Sequence, residues 1–263
     1  PPHTVFGAKL ASVLTRTPLI VDWYDHRPLP DWREGIRRWA ARLPDEVVVP
    51  SRLVRTGVRE LGRAPEDVDV IPTGVDVEAI RETEPEPIAD VVFARRLDRD
   101  AYLESLLLAL AELRDVDWDA VVIGDGPARE SYEQQAADLR IGDRVTFLGD
   151  QPEERRVAVY KGAHVFVHTA QYTPFATELL RALACGCVGI AEYHADSSAH
   201  ELIEHRERGF RVTSESELAD AIRASADLPR MDVDEDFASF DERQILERYL
   251  EHYRRLQSEY GII

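Results

Sequence analysis

The sequence is almost without lysine. Lys9 and Lys161 are its only two among 32 basic residues, and the other 30 are arginine. Basic charge as a whole is scarce: 50 Asp and Glu give a formal net charge of −18. A general nucleic-acid binder needs a basic footprint, so that class is excluded. An acidic, lysine-poor chain fits a protein built for concentrated salt, as in a halophilic archaeon, and also an acidic protein from a GC-rich genome. Cysteine is limited to Cys185 and Cys187. A C-x-C pair with no further ligand nearby makes a poor zinc site, and its apolar surroundings mark both thiols as small buried hydrophobes. No apolar run approaches the roughly 18 residues of a membrane span. The richest stretch, 103–113, carries Glu104 and Glu112. An initiator Met is also lacking, so Pro1-Pro2 reads as a start inside a longer protein.

What is present is a globular composition, 44% hydrophobic and 31% charged over 263 residues. Short apolar runs at 19–21, 47–49, 68–71, 91–93, 120–123, 145–147, 165–167 and 188–190 read as strands. Helical patterns at 7–15, 51–62, 101–114, 128–139, 153–160, 177–185 and 199–206 fall between them. This alternation predicts an α/β protein with parallel sheets covered by helices on both faces. The polar, two-proline stretch 81–88 is the expected linker. It divides the chain into a partial N-terminal domain (1–82), a complete doubly wound domain (83–230) and a C-terminal segment with a long helix (231–263). With only three clear strands, the first domain is expected to be truncated. Residues 27–63 carry nine arginines against five acids. Within them Trp32, Ile36 and Trp39 can share one face of a helix at 31–43, beside Arg33, Arg37, Arg38 and Arg42. That pattern suits an interfacial helix and equally a core helix.

A series of short motifs then resembles one family. Val47-Val-Val-Pro-Ser51 is followed by Ile71-Pro-Thr-Gly-Val-Asp76, Phe93-Ala-Arg-Arg-Leu97, Val122-Ile-Gly-Asp-Gly-Pro127, Val145-Thr-Phe-Leu-Gly149, Val165-Phe-Val167 and Ala182-Leu-Ala-Cys-Gly186. In this order and spacing they resemble the group 1, family 4-like glycosyltransferases over roughly residues 45–255, here as a divergent, haloarchaeal-type member. The resemblance implies a GT-B fold of two Rossmann-like domains. It also implies a nucleotide-diphosphate sugar as substrate, no cofactor or metal, and retention of anomeric configuration.

Several residues take expected roles from it. Arg96, directly after a strand, is the expected diphosphate ligand. The glycine turn at Gly124-Asp125 borders the donor. The segment Phe175-Ala176-Thr177 opens a helix, and its small residues Ala176 and Thr177 suit an anion-binding loop. His26, two residues beyond Tyr24 after the first strand, is the weak catalytic candidate. Departures accompany these matches. Arg95 stands where the family has Gly, and Ala101 where it has a diphosphate-binding Lys. Thr173 and Arg181 stand where it has two Glu. Glu178 is therefore a candidate to replace a lost carboxylate, and Arg181 to replace the lost Lys.

The expectation is a glycosyltransferase acting on a glycan or lipid-linked acceptor. It would be cytoplasmic, with peripheral contact at the inner membrane face through Trp32, Arg37, Arg38 and Trp39. The departures leave a catalytically inactive, glycosyltransferase-like binding or scaffold protein as the alternative.

Overall fold

The computed structural model describes residues 2–25, 27 and 30–261. The chain forms two compact units. The first comprises Pro1–Gly74 and Glu242–Ile263, the second Val75–Asp241.

In the first unit, strands β1 (Ile20–Asp22), β2 (Glu46–Val49) and β3 (Val68–Val70) pair in parallel in the order β1-β2-β3. Helices α1 (Pro2–Thr15), α2 (Asp31–Arg42) and α3 (Arg52–Glu60) accompany them. Ser51 caps α3 by accepting the Val54 amide. Val47, Val49, Val54, Val58 and Trp23 form its core. A buried arginine braces the α2–β2 connection: Arg63 donates to the carbonyls of Pro44 and Asp45, each at 2.6 Å.

Helix α2 does not bury its aromatic face. Trp32 and Trp39 are 66% and 64% exposed, and Ile36 is exposed as well. Ala40, Ala41 and Arg37 face inward instead. Arg37 donates to the carbonyls of Arg27 and Asp25, so the outward role expected of it is corrected. The reason is local: two short carbonyl acceptors and the Trp23 ring, 5.9 Å away, take the guanidinium. Arg38 is exposed beside the two Trp side chains.

The final helix, α11 (Glu242–Tyr260), belongs to this first unit. Ile245 packs with Val48 and Ile71. His252 sits between two carboxylates, 2.9 Å from Glu46 and 3.4 Å from Asp69, and Arg255 pairs with Glu46. Arg248 donates to the Val70 carbonyl at 2.6 Å.

The second unit holds a six-stranded parallel sheet in the order β6-β5-β4-β7-β8-β9. Its strands are β4 (Val91–Ala94), β5 (Ala120–Ile123), β6 (Val145–Gly149), β7 (Val165–His168), β8 (Val188–Glu192) and β9 (Gly209–Val212). The helices are α4 (Val77–Glu82), α5 (Leu103–Glu112), α6 (Arg129–Asp138), α7 (Glu153–Gly162), α8 (Thr177–Ala184), α9 (His200–Ile203) and α10 (Glu215–Ser225). β4, β5 and β7 are buried on both faces, as their unbroken apolar runs require.

The unit boundaries differ from the expected 82/83 and 230/231. The Val75 amide bonds the Phe240 carbonyl at 2.9 Å, and Val75, Val77, Ile80 and Phe237 all enter the second unit's core. The expected linker is also held: Arg155 forks onto Glu86, and the Glu86 amide bonds Ala158. Prolines and acids at 81–88 thus mark an ordered strap rather than a hinge. Cys185 and Cys187 are buried and free, and burial pushes the Cys187 thiol up to about 12.

Ile245 is the apolar anchor of α11, so Ile245→Ala is expected to cost about 2–4 kcal/mol by leaving a cavity against Val48 and Ile71. Urea unfolding followed by tryptophan fluorescence measures it. A loss under half a kilocalorie would show that the polar contacts of α11 alone hold it in place.

Candidate functional site

The strand order places the C-terminal ends of β6, β5, β4 and β7 side by side, where open α/β sheets bind ligands. A cleft of about 380 Å³ lies there. Its lining includes Arg95, Arg96, Gly124, Asp125, Asp150, Gln151, Arg156, His168, Thr173, Phe175, Ala176, Thr177 and Glu178. Of the residues singled out in the second unit, Arg96, Gly124, Asp125, Phe175, Ala176, Thr177 and Glu178 therefore meet at one cleft, and Arg181 does not. His26 lies outside the described residues.

The turn after β5 is clamped onto the loop after β4. Gly124 has φ +124°, and a Cβ there would lie 2.0 Å from the Arg95 carbonyl oxygen. Only glycine allows that approach. The Leu97 amide then bonds the Asp125 carbonyl at 2.9 Å, and Asp125 accepts the Gly126 amide at 2.7 Å. Asp125 thus braces its own turn rather than capping α6, which begins without a side-chain cap. Arg96 projects from the clamped loop, 72% exposed and 3.8 Å from Asp98. The lysine position is closed: Ala101 is fully buried, and its carbonyl accepts the Thr169 hydroxyl.

Helix α8 opens at the cleft with no side-chain cap on Ala176. Its first-turn amides and partial positive charge suit an anion. Within that turn, Glu178 does not offer a vacant carboxylate. Its Oε1 accepts Arg156 at 2.5 Å and Arg181 at 2.6 Å, and its Oε2 accepts the Tyr160 hydroxyl at 2.6 Å. The role expected of Glu178, replacing a ligand-binding carboxylate, is corrected by this network. Arg181 is likewise turned inward, only 7% exposed, with Glu153 at 3.2 Å as its second partner. Burial opposes its charge, but Glu178 and Glu153 hold its pKa above the usual value. Of the two arginines on Glu178, Arg156 on α7 is the one that reaches the cleft, and its Nε is buried without a hydrogen-bond partner among the described residues. Sequence reasoning missed Arg156 because its partner Glu178 lies 22 residues away.

At the far end of the cleft, Arg95 Nη1 donates to Thr173 Oγ1 at 3.1 Å and Nη2 to the Tyr172 carbonyl at 3.0 Å. Thr173 Oγ1 also lies 3.0 Å from His168 Nε2. Burial, and then the positive Arg95, lower the His168 pKa to about 3, so the ring is neutral at ordinary pH. The Thr173 hydroxyl oxygen thus accepts from Arg95 and stands within hydrogen-bond distance of the neutral imidazole.

Comparison with known proteins places the chain in a family. The family model "Glycosyl transferases group 1" matches residues 76–237, and "Glycosyltransferase Family 4" matches residues 3–79. The alpha-monoglucosyldiacylglycerol synthase of Streptococcus pneumoniae is 27% identical over 195 residues, 68% of this chain and 44% of that protein. The D-inositol 3-phosphate glycosyltransferase of Mycolicibacterium smegmatis is 30% identical over 183 residues, 65% of this chain and 41% of that protein. The chain thus spans less than half the length of these curated relatives. Among solved structures, Anabaena HepE in complex with UDP aligns with a TM-score of 0.83 at 22% identity, over 97% of this chain and 77% of that one. Sucrose-phosphate synthase from Thermosynechococcus elongatus aligns at 0.77 and 20% identity, over 91% of this chain and 68% of that one. These likenesses show the GT-B fold. The group 1 model covers more than half of the sequence, and the chain belongs to the group 1 glycosyl transferases.

Proposed function

We propose that the second unit binds a nucleoside-diphosphate sugar in its cleft and that the protein transfers the sugar to a lipid-linked or glycan acceptor. The observation that carries this reading is the convergence of an uncapped helix start with Arg96 and Arg156 at one cleft. A diphosphate there meets backbone amides, a helix dipole and two guanidinium groups. These cations supply the counter-charge of the leaving nucleotide, and the transfer is proposed to run without a metal. Retention of configuration is proposed from family membership.

The sheet order supports a direction for the donor. From β6 to β7 is three strand spacings, about 14 Å, which fits an extended nucleotide sugar. The base would lie at Gly124, Asp125, Asp150 and Gln151, the diphosphate between Arg96 and the α8 start, and the sugar at Thr173 and His168. The exposed Trp32, Ile36 and Trp39 beside Arg33 and Arg38 support an acceptor at a lipid surface. Thr173 and Arg181, in place of carboxylates, favour a second reading, a donor-binding protein without turnover.

Calorimetry with UDP and a transfer assay with UDP-glucose test both. Arg96→Ala is expected to weaken UDP about tenfold or more, the worth of one charge-assisted contact, without loss of stability. Glu178→Ala is expected to cost stability instead, about 3 kcal/mol, because Arg156 and Arg181 would then share Glu153 as a single counter-charge. UDP binding with no transfer to any acceptor would favour the second reading, and an Arg96→Ala variant with undiminished UDP affinity would remove the diphosphate assignment.

His168 generates a pH prediction. The unfolded ring takes up a proton near 6.5, the folded one only near 3. Between those values the unfolded state binds more protons, so stability declines as the pH falls from 6.5 toward 3. In His168→Asn that decline is expected to shrink by an amount on the order of a few kcal/mol. Denaturation midpoints at pH 7, 5.5 and 4 measure it, and parallel curves for the two proteins would contradict the buried, neutral imidazole.

A further inference from the structure

Strand β7 is apolar through Val165, Phe166 and Val167 and then places a histidine at its C-terminal end. Alternation along the strand sets His168 on the same side as Phe166. Phe166 shares a core with Ala176, Leu179 and Leu180 of the α8 region, so the ring arrives at the cleft on the side where α8 begins. His168 is only 6% exposed, yet it lines the cleft. A buried imidazole has two ring nitrogens to satisfy. Nε2 lies 3.0 Å from Thr173 Oγ1. Nδ1 has no hydrogen-bond partner among the described residues.

One polar atom of a nearly buried ring is therefore left for whatever fills the cleft. Burial, then the positive Arg95 and His194, keep the ring uncharged at ordinary pH. At Nδ1 an uncharged imidazole offers a single N–H or a single lone pair, according to which nitrogen holds the proton. A carboxylate or phosphate only accepts and an ammonium only donates, and each pairs best with a charged partner. A sugar hydroxyl both donates and accepts, so it completes Nδ1 in either tautomer. We propose that His168 reads the donor sugar: its Nδ1 hydrogen-bonds one hydroxyl of an uncharged hexose, while Thr173 holds the ring by Nε2. This rests on the donor reading above, and it names the sugar class and the recognising atom which that reading leaves open.

Calorimetric titration of the full-length protein with UDP, UDP-glucose and the monodeoxy analogues of UDP-glucose tests it. Wild type is expected to bind one of the analogues roughly five- to tenfold more weakly than UDP-glucose, the worth of one hydrogen bond between neutral groups. His168→Gln sets its amide at the Nε2 position and leaves Nδ1 without an equivalent. In that variant the affinity for UDP-glucose is expected to fall to that of the analogue, which itself binds as before. His168→Asn sets its amide at the Nδ1 position and is expected to keep the preference. UDP binding by each variant reports that the cleft is formed, and His168→Leu serves if the glutamine variant does not fold. Equal affinities for all the sugars in wild type overturn the proposal while leaving the donor site standing. So does a preference that survives removal of Nδ1, or one lost equally in the asparagine and glutamine variants. A wild-type protein that binds none of these ligands, UDP included, overturns the donor reading and the proposal with it.

Discussion

One carboxylate organises the cleft. Glu178 accepts two guanidinium groups and a buried phenol, and these four side chains join the first turn of α8 to α7. Burial keeps Tyr160 protonated, so its hydroxyl donates and adds no charge. With Glu153 the network balances at two cations and two anions. A helix start exposed to an anion needs its own acidic residue to be quenched, or the acid would repel the ligand. Arg156 and Arg181 perform that quenching here, and Arg156 still borders the cleft.

The other wall follows from a substitution made in two places at once. Arg95 stands where the family resemblance sets a glycine, and Thr173 where it sets a carboxylate. In the structure these two side chains bond each other at 3.1 Å. A carboxylate at 173 would pair with Arg95 and cancel it. A threonine accepts from the guanidinium, lies 3.0 Å from His168 Nε2 and adds no charge of its own. The pair is coherent as a unit, and each half taken alone looks like a loss.

Much of the second unit was legible from pattern alone. The runs at 91–93, 120–123, 165–167 and 188–190 became β4, β5, β7 and β8, because strands buried on both faces must be apolar without interruption. The strand Gly209–Val212 and the helix Glu215–Ser225 were less visible, since the strand is short, begins with glycine and carries Arg211. The strap 81–88 misled because prolines and acids signal a linker, while Glu86 and Arg155 tie it down across 69 residues of sequence. On α2 the pattern left two faces equally plausible. The carbonyls of Asp25 and Arg27 decided it by drawing Arg37 inward and leaving both Trp rings outward.

By itself the sequence determined the alternation of strands and helices, the order of the motifs and the likeness to group 1 enzymes. These depend on local periodicity and on short spacings along the chain. The tertiary structure decided which charges are spent and which remain. Arg181 and Arg156 pair with the same two acids, yet one is buried away from the cleft and the other borders it. That difference arises because the packing of α7 on α8 brings Arg156 to Glu178 across 22 residues of sequence, a contact no local pattern encodes.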